Sequence, residues 1–274
     1  MAATITTITI QPVNMDTLLT GPAPFNITKN TIDFSTSALP MYTGSYAVVL
    51  DNVLTPHECS LLLSAAEAQT NSTWERAMIN VGGGRQAMYT DVRNCGRIIW
   101  DDREIVARLW ERIEPHVSEI VELENCMRIC GWAGKDVTWK MSRLNERMRF
   151  LKYVGGEYFR THCGECCRLS SDPTSKADIS TDGIYETPDG KERSYYTLHL
   201  YLNDETTEDI GIEPLFKGGA TRFENPRGDY MDVHPKAGRV LIFQHRDLLH
   251  SGADVIAGTK YTLRTDIMYT KEEQ

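Results

Sequence analysis

Two hydrophobic periods divide the chain near residue 144. Before it, apolar residues recur at helical spacing in CSLLLSAAEAQ and IVARLWERI, each preceded by a polar start signal. Thr55-Pro56-His57-Glu58 supplies an N-cap, a proline at N1 and a carboxylate at N3, a capping box that predicts a helix running to about residue 69. Asp101-Asp102-Arg103-Glu104 repeats the signal for a second helix, which Pro115 restarts or bends. The charges of DDREIVARLWER then read as the solvated face of an amphipathic helix. YAVVLDN, at 46–52, is an unbroken apolar run of strand length. Residues 1–45 are rich in Thr, Pro and Asn without periodicity and read as an arm laid over a domain.

Beyond residue 144 the period falls to two. RMRFLKY, YYTLHLYL, ATRF, GRVLIF and YTLRTDIMY are short runs of aromatic and branched residues, separated by Gly, Pro, Asn and Asp turns. Helices followed by a series of strands predict a mainly β protein with flanking helices (α+β), a jelly roll buttressed on one face. The expected organisation is an arm over 1–45 and a single domain over 46–274. Within that domain, helical support covers about 46–143 and the jelly-roll core about 144–270. No internal repeat and no flexible linker interrupts it.

Composition changes this picture little. Apolar residues make up 41% and charged residues 24%, and the net charge is -9. Without a basic block there is nothing to neutralise phosphates, so no nucleic-acid partner is expected. No apolar stretch reaches the ~20 residues of a membrane span, and the N-terminus lacks the basic and apolar regions of a secretory signal, so the expected location is cytoplasmic. Of seven cysteines, Cys59, Cys95, Cys126 and Cys130 read as reduced residues. Cys163, Cys166 and Cys167 form a CxxCC cluster, but no second pair stands at zinc-finger spacing.

The chemistry lies in three segments: FLKYVGGEYFRTHC, GGATRF, and LLHSG followed by GTKYTLRTD. A mononuclear non-haem Fe(II) site needs two histidines and a carboxylate on one side, with open positions opposite. His162 ends a strand-like run, and His250 follows the strand GRVLIF and precedes the small residues Ser251-Gly252. The hairpin VIAGTKY is expected to return the chain, and alternation then puts Lys260, Thr262 and Arg264 on one strand face. A buried cation there would hold the far carboxylate of a keto acid, with a hydroxyl sharing it. Plainer readings stand beside these. A lone histidine is more often a surface or core residue than a ligand, and charged residues such as Lys260 and Arg264 are usually solvated. His245 is the alternative ligand, and His199 is either a pocket contact or structural. Gly218-Gly219 reads as a bend for tight packing, since no phosphate-loop context follows it.

Taken together, YVGGEYFRTH, YLND, GGATRF, GRVLIF and HSG-x7-K resemble the prolyl-4-hydroxylase-like branch of the Fe(II)/2-oxoglutarate dioxygenases over about residues 144–270. The resemblance implies a double-stranded β-helix with iron held by His162 and His250, and 2-oxoglutarate contacted by Tyr153 and Lys260, with Arg264 the runner-up clamp. It also implies ascorbate as an aid to keeping iron reduced, and a small-molecule or peptidyl substrate, prolyl residues being the family's usual target.

The chain departs from the family's His-x-Asp at one point, for position 164 is glycine. Three explanations stand open: a His-x-Gly site of the iron-halogenase type, a protein that binds no iron, or an insert. Deleting residues 164–181 joins His162-Cys163 to Asp182-Gly183 and restores HCDG. The sequence beyond, DGIYETPDGKERSYYTLHLYLN, then continues naturally into the next strand. Gly-Glu-Cys can be encoded with the splice donor GTGAGT, and Thr-Asp with an AG acceptor, so in-frame removal is possible. The expectation is a retained intron over 164–181, with Asp182 the third iron ligand, able to return to the metal because loop closure costs little. Glu165 is a second possible ligand. If the insert breaks the site, this form is a catalytically disabled jelly roll.

Overall fold

In the computed structural model, which describes residues 13–80, 86–163, 184–205 and 216–272, strands dominate and form two facing sheets. The strands that build the interior are β1 (Ala47–Asp51), β2 (Arg93–Asn94), β3 (Gly96–Asp101), β4 (Arg147–Val154), β5 (Tyr158–His162), β6 (Glu192–Tyr201), β7 (Thr221–Glu224), β8 (Tyr230–Val233), β9 (Val240–Gln244), β10 (His250–Gly252) and β11 (Val255–Lys271). The major sheet runs β1-β9-β6-β11-β4-β3, extended at one edge by Thr28–Thr31 and at the other by Glu75–Arg76. The minor sheet runs β8-β7-β10-β5-β2. All pairings are antiparallel, which gives the expected jelly roll.

Two helices, α1 (Pro56–Gln69) and α2 (Arg103–Ile113), pack on the outer face of the major sheet. Thr55 caps α1 with the full capping box: its side chain accepts from the Glu58 N–H, and the Glu58 carboxylate accepts from the Thr55 N–H. The Asp102 carboxylate caps α2 by accepting from the N–H groups of Glu104 and Ile105. α2 ends at Ile113, and Pro115 lies in a short 3-10 turn. Arg112 departs from the solvated face expected of it. It is buried and donates to the Glu58 carboxylate at 2.9 Å and the Val53 carbonyl at 3.2 Å, tying the α1 cap to α2.

The period-two pattern explains which face does what. Phe150, Leu198, Leu200, Ile242, Leu263 and Ile267 point outward from the major sheet into a core shared with Leu62 and Leu109 of the helices. Their neighbours point inward between the sheets. In register, Arg149, Leu151 and Tyr153 of β4 face Arg264, Thr262 and Lys260 of β11. On the other flank Thr197, His199 and Tyr201 of β6 face Asp266, Arg264 and Thr262.

One expectation fails here. VIAGTKY is not a hairpin: Val255–Lys271 is one continuous strand. The break in the strand comes earlier, at Ala253-Asp254, where the chain passes from the minor sheet to the major one while staying antiparallel to the β4–β5 segment. Gly258, the apparent turn residue, instead lies in the ladder opposite Phe216. Cys59, Cys95, Cys126 and Cys130 are free thiols, as expected. Among the described residues no helix is long and apolar enough to cross a membrane.

Candidate metal and keto-acid site

The interior is apolar at both ends. One end holds Phe34, Phe223, Leu241 and Phe243, the other Leu151, Tyr153, Phe159 and Val255. Between them lies a polar band that folding alone does not call for, because a buried polar group costs free energy unless it finds partners.

His162 and His250 stand directly opposite each other on β5 and β10. They are 2% and 7% exposed, with ring centroids 4.3 Å apart. Strict alternation would put Phe159 and His162 on opposite faces. The ladder shifts register between them, and both turn inward, with their rings stacked at 3.7 Å. His162 Nδ1 lies 2.8 Å from the Arg160 carbonyl oxygen, and His250 Nδ1 lies 2.9 Å from that of Leu248. A carbonyl only accepts, so each Nδ1 carries the proton and each Nε2 becomes the lone-pair nitrogen, the tautomer a metal ligand requires. The two imidazoles therefore fit Fe(II). Among the described residues no third His, Cys, Asp or Glu completes a metal group. The expected third ligand Asp182, together with Gly164 and Glu165, lies outside the described residues, as do Cys166, Cys167 and the whole segment 164–181.

Lys260 is 2% exposed, and its Nζ donates to the Gly219 carbonyl at 2.5 Å. It lies 5.3 Å from the ring centre of Tyr153, its cross-strand partner, and 5.7 Å from that of Tyr201. No carboxylate lies within ion-pair distance of it among the described residues. Burial pushes its pKa down to about 8, while the Cys95 and Glu205 charges act the other way. Gly219 makes room for it: φ is +72°, and a Cβ would sit 2.9 Å from Lys260 Cδ. Thr262 is fully buried on the same face, and its Oγ1 finds no hydrogen-bond partner among the described residues. It does not itself bound the cavity. A buried cation beside an unsatisfied hydroxyl is a donor set that fits a carboxylate.

A cavity of about 40 Å³ is bounded by Arg93, Tyr153, Phe159, His162, His250, Lys260 and Arg264, together with Thr197, His199 and Phe243. Thus Tyr153, Lys260, Arg264 and both histidines come together. Arg264 also engages Asp266 at 3.1 Å and Thr197 Oγ1 at 3.3 Å. His245 does not join His162; its Nε2 faces Asp266 at 3.4 Å. His199 borders the cavity and stacks on Tyr201 at 4.9 Å. Sequence reading missed Arg93, which is buried with its guanidinium 4.4 Å above the Phe159 ring. It comes from a two-residue strand in YTDVRNCGRIIW, too short for alternation to mark its face.

Residues 148–265 match the family model described as the 2OG-Fe(II) oxygenase superfamily. No curated protein matches the chain in sequence. Among solved structures, the chain is similar to the viral collagen prolyl hydroxylase of Paramecium Bursaria Chlorella virus-1 in its 2OG complex. The identity is 19%, over 83% of this chain and 97% of that one, with a TM-score of 0.45. It is also similar to a Pseudomonas putida prolyl-4-hydroxylase (13% identity, 85% and 97% covered, TM-score 0.48). A third is a Trichoplax adhaerens prolyl hydroxylase in complex with a hypoxia inducible factor peptide fragment (14% identity, 85% and 88% covered, TM-score 0.48).

Proposed function

We propose that the chain, whose residues 148–265 match the 2OG-Fe(II) oxygenase superfamily model, hydroxylates an organic or prolyl substrate using a metal held by His162, His250 and Asp182. Bound Fe(II) would supply the redox chemistry that couples oxidative decarboxylation of 2-oxoglutarate, with release of succinate and carbon dioxide, to hydroxylation of the substrate. The chain's own residues supply binding and orientation. The backbone carbonyls of Arg160 and Leu248 lock both imidazoles with Nε2 outermost. Lys260 pairs with the distal carboxylate of 2-oxoglutarate, Thr262 donates its unsatisfied hydroxyl to it, and Tyr153 walls the same end. The apolar ends of the interior keep water from competing for these groups.

The observation that carries this reading is the facing pair of Nδ1-anchored histidines sharing a cavity with a buried lysine that has no counter-ion among the described residues. Asp182 rests on the HCDG continuity of the sequence, and its return to the metal across residues 164–181 is part of the proposal. The test is an anaerobic titration with Fe(II) and 2-oxoglutarate, reading the iron-to-keto-acid charge-transfer band, on the whole chain and on a version lacking 164–181. A band in both shows that the segment is tolerated. A band only in the shortened chain identifies this form as a disabled relative of a working dioxygenase. Its absence from both refutes the metal assignment. Chloride-dependent product formation would instead indicate a halogenase.

A further inference from the structure

Asp266 is a buried acid on the same inward face as Lys260, Thr262 and Arg264, and three basic groups surround it. Its Oδ1 lies 3.1 Å from Arg264 Nη2 and 3.4 Å from His245 Nε2, and its Oδ2 lies 3.4 Å from Arg149 Nη1. Arg149 and Arg264 stand directly opposite each other across β4 and β11, where like charges repel. Asp266 offsets both. Burial by itself would raise its pKa, but the nearby Arg264, His245 and Arg149 hold it at about 2.

Two cations therefore border the cavity from one strand, four residues apart, in different states. Among the described residues Lys260 meets a carbonyl and two ring faces and no carboxylate. Arg264 already has a carboxylate and the Thr197 hydroxyl. An incoming dicarboxylate gains most at the cation whose charge is not yet offset. We propose that Asp266 is a positioning residue that holds Arg264 away from the cofactor, so that Lys260 alone binds the distal carboxylate of 2-oxoglutarate. This rests on the assignment of Lys260 as the clamp, and it makes Asp266 a determinant of which end of the strand the cofactor reaches.

The experiment is calorimetric titration of 2-oxoglutarate into the Fe(II)-loaded whole chain under nitrogen, with melting temperatures recorded alongside. Lys260→Met should weaken binding about 100-fold. Adding Asp266→Asn should recover at least about tenfold of that loss, and adding Arg264→Gln as well should abolish the recovery. Arg264→Gln alone should leave the affinity within about threefold of the unsubstituted chain. No recovery in a folded Lys260→Met/Asp266→Asn protein overturns the proposal, because a merely structural Asp266 would lower the melting temperature without restoring binding. If the Asp266→Asn proteins do not fold, Arg264→Gln alone decides, and a loss beyond about tenfold overturns the proposal. Unchanged affinity in Lys260→Met would instead remove the Lys260 assignment, and this inference with it. No binding by the unsubstituted chain would refute the proposed function itself.

Discussion

The two faces of β11 belong to one strand yet do opposite work. Outward, Leu263 and Ile267 are completely buried against the helices in a continuous apolar core. Inward, Lys260, Thr262, Arg264 and Asp266 are as deeply buried, but every one is polar or charged. Apolar burial stabilises at about 25 cal/mol per Å² and needs no directional partner. A buried charge is tolerated only where something offsets it. Equal burial with opposite chemistry fits an outer face that serves stability and, on the proposed function, an inner face that serves binding. Substitutions on the two faces should therefore separate in what they change.

The largest effect expected is on the outer face. Phe150→Ala removes a fully buried ring stacked against Trp100 and should cost about 3–5 kcal/mol, lowering the melting temperature by on the order of 10 °C. Calorimetry would show this, while the 2-oxoglutarate affinity of the folded protein stays near that of the unsubstituted chain. A large loss of affinity would mean that the two faces are coupled.

The inner face should answer to pH instead. The Lys260 pKa is about 8 without cofactor, and an opposing carboxylate raises it. Below pH 8 the lysine is already protonated and the affinity should be flat. Above pH 8 binding must take up a proton, so affinity should fall about tenfold per unit. Titrations between pH 6.5 and 9.5 check this, and a flat profile would place the carboxylate elsewhere. The smallest effect lies furthest from the site. Thr55→Ala breaks the α1 capping box and should cost about 1 kcal/mol, seen in denaturant unfolding, with 2-oxoglutarate binding unchanged.

Much of this was legible in the chain. The capping box of α1, the N-cap of α2, the change of period near residue 144 and the alternation through YTLRTDIMY are local signals, and local backbone preferences set them. Alternation alone placed Lys260, Thr262 and Arg264 on a common face, and HSG-x7-K singled out His250 and Lys260. Gly218-Gly219 marks close packing in the sequence itself, since a positive φ beside the Asp254 carbonyl and the Lys260 side chain leaves room only for glycine. What needed the third dimension was which face is the inside and which cation is already partnered. The bulge that turns Phe159 and His162 the same way, the two-residue strand that brings in Arg93, and the strand break at Ala253-Asp254 rather than at Gly258 all depend on pairing between distant segments. So does the contact of Asp266 with Arg149 and His245, far apart in sequence and joined only when β4, β9 and β11 lie in one sheet. Sequence period fixes where a side chain points relative to its own strand. Only the assembled sheets fix what it meets there.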